Sequence, residues 1–305
     1  MRRALVCLTA LLVSAASLAT PAAAGDRVTL GWGRLFNNDA LGDMKDRWRT
    51  GGYVVSLVRG RDWSGVYPDR PGEMIEFRIR SEVIAPANLV NPVAGDRRYA
   101  GVLSLGMHTH FSYGALENSV GVDLVAIGPM TGIGSFQKTM HNVFGLDEPT
   151  VLDDQLGNQV HPTLTAETGR TFHISDRLSV RPFAEMTAGV ETMARIGGDV
   201  LIGGVGQGDI LLRDVVTGQR YRASNDGVSG LSFALGGDIA KVYDSAYLPE
   251  DQGYTLSDSR VRLRAGVNWQ GERAAVFYGV TWLGEEFEGQ PEGQMVGSLR
   301  LHLRF

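Results

Sequence analysis

Gln137 and His141 stand four residues apart in the stretch SFQKTMHNVFGLDEP, residues 135–149, with Asp147 and Glu148 just beyond. Residues at that spacing share one face of a helix. Phe136, Met140, Val143 and Phe144 recur at helical spacing through the same stretch, so it reads as a short helix laid with its apolar stripe against the rest of the fold. An imidazole is the usual general base near neutral pH, and a carboxamide beside it can orient it or stabilise a developing oxyanion. The plainer alternative is that His141 closes a polar loop. A second group lies in LFNNDALGDMKDRWRTGG, residues 35–52, where Asn38, Asp39, Asp43 and Asp46 gather oxygen donors ahead of Thr50. Hard oxygens are what Ca²⁺ takes as ligands, although this spacing is not that of the helical calcium loop and an ordinary acidic turn is the plainer alternative. No covalent nucleophile is assigned. Ser135 is six residues from His141, almost opposite in azimuth on a helix.

The rest of the chain must hold these groups in place, and it reads as strands. In MVGSLRLHLRF, Leu299, Leu301, Leu303 and Phe305 share one face while Ser298, Arg300, His302 and Arg304 share the other. The same period of two appears in RVRLRAGVNW and SVGVDLVAIG. A soluble sandwich would bury the apolar face, whereas a membrane barrel turns it to lipid and lines its lumen with the charges. Met1-Arg2-Arg3, the apolar run from Leu5 and the Ala22-Ala23-Ala24 site form a secretory signal peptide over residues 1–24, leaving 25–305 as one domain. The one cysteine, Cys7, leaves with that peptide, so disulfides are not expected to hold an exported fold together.

Strand lengths near 9–11 residues suit a tilted bilayer crossing. The expected fold is all-β, a transmembrane antiparallel barrel of about 12 strands with a short helix in an extracellular loop. Candidate strands run near 27–36, 50–60, 73–84, 99–112, 116–127, 160–173, 178–193, 199–213, 219–224, 230–243, 260–270, 274–284 and 295–305. The polar gaps 61–72, 86–98, 128–159 and 244–258 are the expected extracellular loops. Trp32, Trp63, Tyr99, Trp269 and Trp282 are the expected interfacial girdle. Net charge is −5, without the basic face that nucleic-acid binding needs. GGVGQGD, residues 203–209, is read as a turn, and His108 and His110 as a lumenal pair without a third metal ligand.

Taken in order, several short motifs resemble those of the outer-membrane lipid A 3'-O-deacylase family. They are Asn38-Asp39; Asp46-Arg47-Trp48-Arg49-Thr50-Gly51-Gly52; Asp96-Arg97-Arg98-Tyr99-Ala100-Gly101; Gln137 and His141; Asp147-Glu148-Pro149; and Gln155-Leu156. The carboxy-terminal hairpin also looks like the family's, and together these pieces span residues 25–305. Arg49 stands where the family usually has Tyr, Arg98 where it has Pro, and Val151-Leu152 where Gly-Trp is common.

The resemblance implies a barrel that removes an ester-linked acyl chain from lipid A near the outer-leaflet rim, with Ca²⁺ as cofactor. It implies catalytic roles for His141, Gln137, Thr50, Asn38 and Asp39, and a cation held near Asn38, Asp39, Asp147 and Glu148. Arg49, Arg97 and Arg98 are candidates to hold a lipid phosphate. The expected partners are lipopolysaccharide, outer-membrane lipids and the barrel-insertion machinery, with the chain a monomer in the outer membrane. The rival expectation is a non-catalytic channel or structural barrel.

Overall fold

The computed structural model describes residues 27–224 and 228–303. The signal peptide and the terminal Phe305 lie outside the described residues. Alternation of small or charged with large apolar side chains produces β1 (Val28–Asn38), β2 (Trp48–Gly60), β3 (Met74–Ala85), β4 (Ala100–Tyr113), β5 (Leu116–Ile127) and β6 (Gln159–Gly169). A short β7 (Phe172–Ser175) precedes β8 (Leu178–Ala188) and β9 (Glu191–Ile202). The hairpin β10 (Leu211–Arg213) and β11 (Arg220–Arg222) is followed by β12 (Gly230–Ser245), β13 (Arg260–Gln270), β14 (Ala274–Leu283) and β15 (Gln294–Leu303). One helix, α1 (Ile133–Phe144), lies between β5 and β6.

Among the described residues, 12 antiparallel strands close into a barrel. Strands β6 and β8 pair directly, β7 lying beside β8, and β1 meets β15 through Phe36, Asn37 and Asn38. The β1–β15 and β6–β8 pairings close the sheet on itself, so that its ladder is paired internally as a sheet in lipid requires. The outward face carries exposed Leu105, Met107, Val122, Leu124, Ile196, Leu235, Leu263 and Leu301. On β1 it carries Trp32, Arg34 and Phe36. No helix among the described residues is long and apolar enough to cross a membrane.

Charge fills the interior. Asp238 accepts from Arg195, Arg262 and Arg264, and Asp199 from Arg213 and Arg264. Glu167 binds Arg181 and Arg213, each at 2.6–2.7 Å. Arg213 belongs to the β10–β11 hairpin, so these pairs tie that hairpin to the wall. Its Ile210, Leu212, Tyr221 and Ala223 bury against Leu35, Val54, Val58, Met74 and Phe277 of the inner wall, and Tyr221 Oη lies 2.9 Å from Ser56 Oγ. The hairpin is therefore a plug inside the barrel.

Three sequence expectations change. Residues 199–213 do not form one strand: β9 ends at Ile202, and the glycine-rich turn that follows sends the chain back into the lumen. Segment 61–72 lies at the end where the chain starts and stops, opposite the other long loops, because β1 rises and β2 returns. Trp63 there donates to the Gly208 carbonyl at 2.6 Å, beside the plug. Tyr99 is wholly buried and so is no girdle residue, whereas Trp32, Trp269 and Trp282 are exposed.

In planar bilayers the intact protein is expected to show no long-lived conductance steps, and replacing the β10–β11 hairpin with a short Gly-Ser linker should create them. Steps from the intact protein would contradict the plug.

Candidate functional site

The site forms outside the lumen. Along β1 and β2 the inward positions include Leu35, Asn37, Val54 and Ser56, so Phe36, Asn38, Gly51 and Tyr53 face outward. An irregularity between Arg49 and Gly51 resets the alternation of β2. It frees Thr50 to turn from the ladder towards the rim.

Asn38 caps the short 3₁₀ turn Asp39–Leu41, its Oδ1 accepting from the Ala40 N–H at 2.7 Å. Asp39 is almost fully buried, accepting from the Arg47 N–H at 2.8 Å and lying 2.9 Å from Thr50 Oγ1. Thr50 Oγ1 is also 2.5 Å from Asp46 Oδ1. One hydroxyl carries one proton, so Thr50 can donate to only one of these two carboxyl groups. Burial, reinforced by the charges of Asp46 and Asp43 and opposed by bonds from Arg47 and Thr50, pushes the Asp39 carboxyl up to about 7.

Helix α1 brings the imidazole to this cluster. Gly132 and Gly145 at its two ends adopt left-handed conformations that fix its limits. The helix lies on the outer wall at the top of β4. A β-carbon on Gly101 would come within 2.9 Å of Ile133 Cβ, and one on Gly134 within 3.0 Å of Leu152 and 3.5 Å of Tyr99. The two glycines permit that approach.

The orientation of α1 reverses the sequence expectation. Gly134 and His141 form the buried face, while Phe136, Val143 and Phe144 are 63%, 69% and 68% exposed. The apolar stripe faces outward because lipid, not a protein core, is its solvent, and the small and polar face meets the wall.

His141 is buried, and its Nδ1 lies 2.7 Å from the Asp147 carbonyl oxygen. A carbonyl only accepts, so Nδ1 carries the proton and Nε2 is the basic nitrogen. Nε2 stands 3.2 Å from Asp46 Oδ2. One turn earlier Gln137 Oε1 is buried without a hydrogen-bond partner. Beneath the helix the Tyr99 hydroxyl is also unpartnered, and burial, then the charge of Asp46, pushes its phenol up.

The structure thus joins His141 to Asp46, Thr50 and Asp39. The sequence counts Asp46 among the oxygen donors ahead of Thr50 but assigns it no role beside His141. Its signal is its place at the head of the Asp-Arg-x-x-Thr element, four residues before Thr50. Met44 and Trp48, at φ +62° and +50°, are the non-glycine residues with positive φ among those described, and they bracket Asp46. A bulky residue in that region is strained by roughly 1–3 kcal/mol. Trp48 is held there by burial and by the Arg47 guanidinium 4.1 Å over its ring.

Asp147 and Glu148 are exposed. Asp147 contributes its backbone carbonyl to His141, and the Glu148 carboxylate pairs with Lys138. No three His, Cys, Asp or Glu side chains converge as a ready metal cage among the described residues. The donor chemistry nevertheless fits a hard cation: Asp39, Asp46, Asn38 and Thr50 are oxygen groups with more acceptors than protons between them.

The three arginines part company. Arg49 is buried with Glu82 at 2.6 Å, Glu286 at 2.9 Å and Glu191 at 3.6 Å, and Arg97 is buried against Glu286. Unpaired guanidinium groups cannot be buried cheaply, so both are committed to this ionic cluster rather than to a phosphate on the surface. Arg98 alone stays open, 42% exposed, with Asp154 at 3.3 Å and Gln252 at 3.2 Å. It borders a rim cavity of about 320 Å³ that Tyr99 and Tyr254 also line.

A plugged barrel whose polar cluster faces the bilayer rather than a pore is an outer-membrane protein with its candidate chemistry at the lipid boundary. The model of the family described as outer membrane protein LpxR matches residues 5–305, and the chain belongs to that family. The solved structure of LpxR from Salmonella typhimurium superposes with a TM-score of 0.74 at 16% identity, covering 90% of this chain and 100% of that one. The β domain of the Bordetella autotransporter BrkA aligns with a TM-score of 0.43 at 13% identity, over 90% of this chain and 99% of that one, a similarity too slight to bear on function. No curated protein matches.

Glu286→Ala would strand the buried Arg97 and take from Arg49 one of its three carboxylates, leaving Glu82 and Glu191, and should cost about 3–5 kcal/mol. The measurement is the urea unfolding midpoint in lipid vesicles; an unmoved midpoint would show that the cluster does not hold the rim.

Proposed function

We propose that this protein hydrolyses the ester linking a 3'-acyl or acyloxyacyl chain to lipid A, in a calcium-dependent reaction. The observation that carries the reading is His141, fixed on the lipid-facing wall with its Nδ1 on the Asp147 carbonyl and its Nε2 beside Asp46. Family membership and the fold shared with LpxR support it. An ester bond of an outer-leaflet lipid meets this rim from the bilayer side.

In the proposed reaction His141 Nε2 takes a proton from water as the water oxygen attacks the ester carbonyl. The imidazolium so formed is stabilised by Asp46 at 3.2 Å, and its proton then passes to the leaving alkoxide. Gln137 Oε1, an acceptor without a partner, would orient the water. Asn38 Oδ1 is occupied by Ala40, which leaves its Nδ2 over Gly51 as a donor to the oxyanion. Asp39 and Asp46, with the remaining lone pairs of Asn38 and Thr50, would hold Ca²⁺. Bound there, the cation would supply Lewis-acid polarisation of the carbonyl. Arg98, the exposed one of the three arginines, would meet a lipid phosphate.

Lipid A extracted from cells expressing the wild type should lose an acyl chain by mass spectrometry, and His141→Ala should lower that loss by about 100-fold or more. A chelator should abolish it. Unchanged lipid A with correctly inserted wild type would defeat the reading.

Proton and cation compete for Asp39. Its carboxyl is raised above the ordinary carboxylate value, so its ionisation in the folded state opposes stability as pH rises through about 7. Calcium should therefore raise the unfolding temperature most above about pH 7 and little at about pH 5. Equal shifts at both would remove Asp39 from the cation site.

A further inference from the structure

The outer wall below the site is not uniform. Cross-strand registers place Asn38, Gly51, Val83 and Gly101 side by side in one outward row. The next row towards the membrane is Phe36, Tyr53, Ser81 and Leu103, and the one below it includes Val55, Ile79 and Leu105. Phe36, Tyr53, Ile79 and Leu105 are 41%, 42%, 55% and 55% exposed, as lipid-facing side chains should be. Gly51 and Ser81 interrupt them. They are diagonal neighbours on β2 and β3, about 7 Å apart. A β-carbon on Gly51 would sit in ordinary contact with Asn38 Nδ2 at 3.5 Å and Val83 at 3.9 Å, so the glycine, lacking one, leaves a dip of that size between them.

A shallow valley thus descends from the oxygen cluster at Asn38 and Thr50, over Gly51 and past Ser81, onto Ile79. Tyr53 forms one bank and Leu103 the other. Its lower end opens directly onto the apolar belt of the barrel, and its upper end lies beside the wall that α1 covers. A chain of methylenes lying on this path buries against apolar side chains without leaving the lipid phase.

Resting on the deacylase reading, we propose that this valley seats the acyl chain whose ester is cleaved, and that Ser81 sets how long a chain is accepted. A large side chain at Ser81 would dam the valley one row below the ester, where a long chain must pass and a short one does not. In a fitted apolar site, the contact of a single methylene lost is worth about tenfold in discrimination.

The test uses the full-length protein in vesicles containing lipopolysaccharide with either a short or a long 3'-acyl group, with kcat/KM read by mass spectrometry of the product. Ser81→Phe should lower the long-to-short ratio of kcat/KM by about tenfold, and Ser81→Leu by a smaller factor. Leu235→Phe, a lipid-facing change on β12, should leave the ratio as in the wild type. Heat-dependent electrophoretic mobility verifies that each barrel is folded. A wild-type ratio in both folded Ser81 variants overturns the valley while the deacylase reading stands. Wild type that cleaves neither lipid overturns the deacylase reading and the valley with it.

Discussion

A polar cluster on the outside of a membrane barrel must be shielded from hydrocarbon, and the seating of α1 on the wall at Gly101 is the contact on which the site depends. Ionised oxygens facing lipid are costly. The helix removes that cost by covering them with its small and polar face while offering lipid its Phe136, Val143 and Phe144. The same contact carries His141 to Asp46 and places the Asp147 carbonyl where it fixes the tautomer. Roofing and assembly of the site are therefore one event. A side chain at Gly101, already 2.9 Å from Ile133 at its β-carbon, would disturb both.

The wall that receives the helix is made firm from within. The twelve strands enclose many charges, and cations such as Arg181, Arg195, Arg213, Arg260, Arg262 and Arg264 are each matched to an acid from another element, while Arg78 and Arg80 pair with Glu76 and Glu82 of their own strand. Such pairs contribute little net stability against an apolar core, but breaking one is expensive, so they fix register and shape. Arg49 shows this: it joins Glu82, Glu191 and Glu286 beneath the loops, with its guanidinium 5.1 Å over the Tyr247 ring. That cluster binds the rim from inside and leaves the outer wall to lipid and site.

Much of the barrel was legible in the sequence because a period of two marks both faces of a strand wherever one is apolar. MVGSLRLHL and RVRLRAGVNW, residues 295–303 and 260–269, fall in β15 and β13 with the expected faces. The inside of the lumen was less legible. Leu211–Arg213 and Arg220–Arg222 alternate like wall strands, and only long-range pairing shows that they fold inward. Periodicity also identified α1 but gave the wrong partner for its stripe, since a hydrophobic face does not say whether protein or lipid will cover it. Gln137 and His141 were found by spacing. Asp46 was harder, because its approach to His141 spans almost a hundred positions and depends on the strained backbone at Met44 and Trp48.

The proposed chemistry takes place where α1 brings His141 to Asp46 on the outer wall. Asp46→Asn keeps the shape of the side chain and removes the charge that faces Nε2, so the direct measurement is the rate of lipid A deacylation by this variant beside Asp43→Asn. The account predicts a fall of about 100-fold for Asp46→Asn in a folded barrel, and a much smaller one for Asp43→Asn, whose carboxylate is turned to Arg47 at 3.0 Å. Deacylation at the wild-type rate by Asp46→Asn would contradict it.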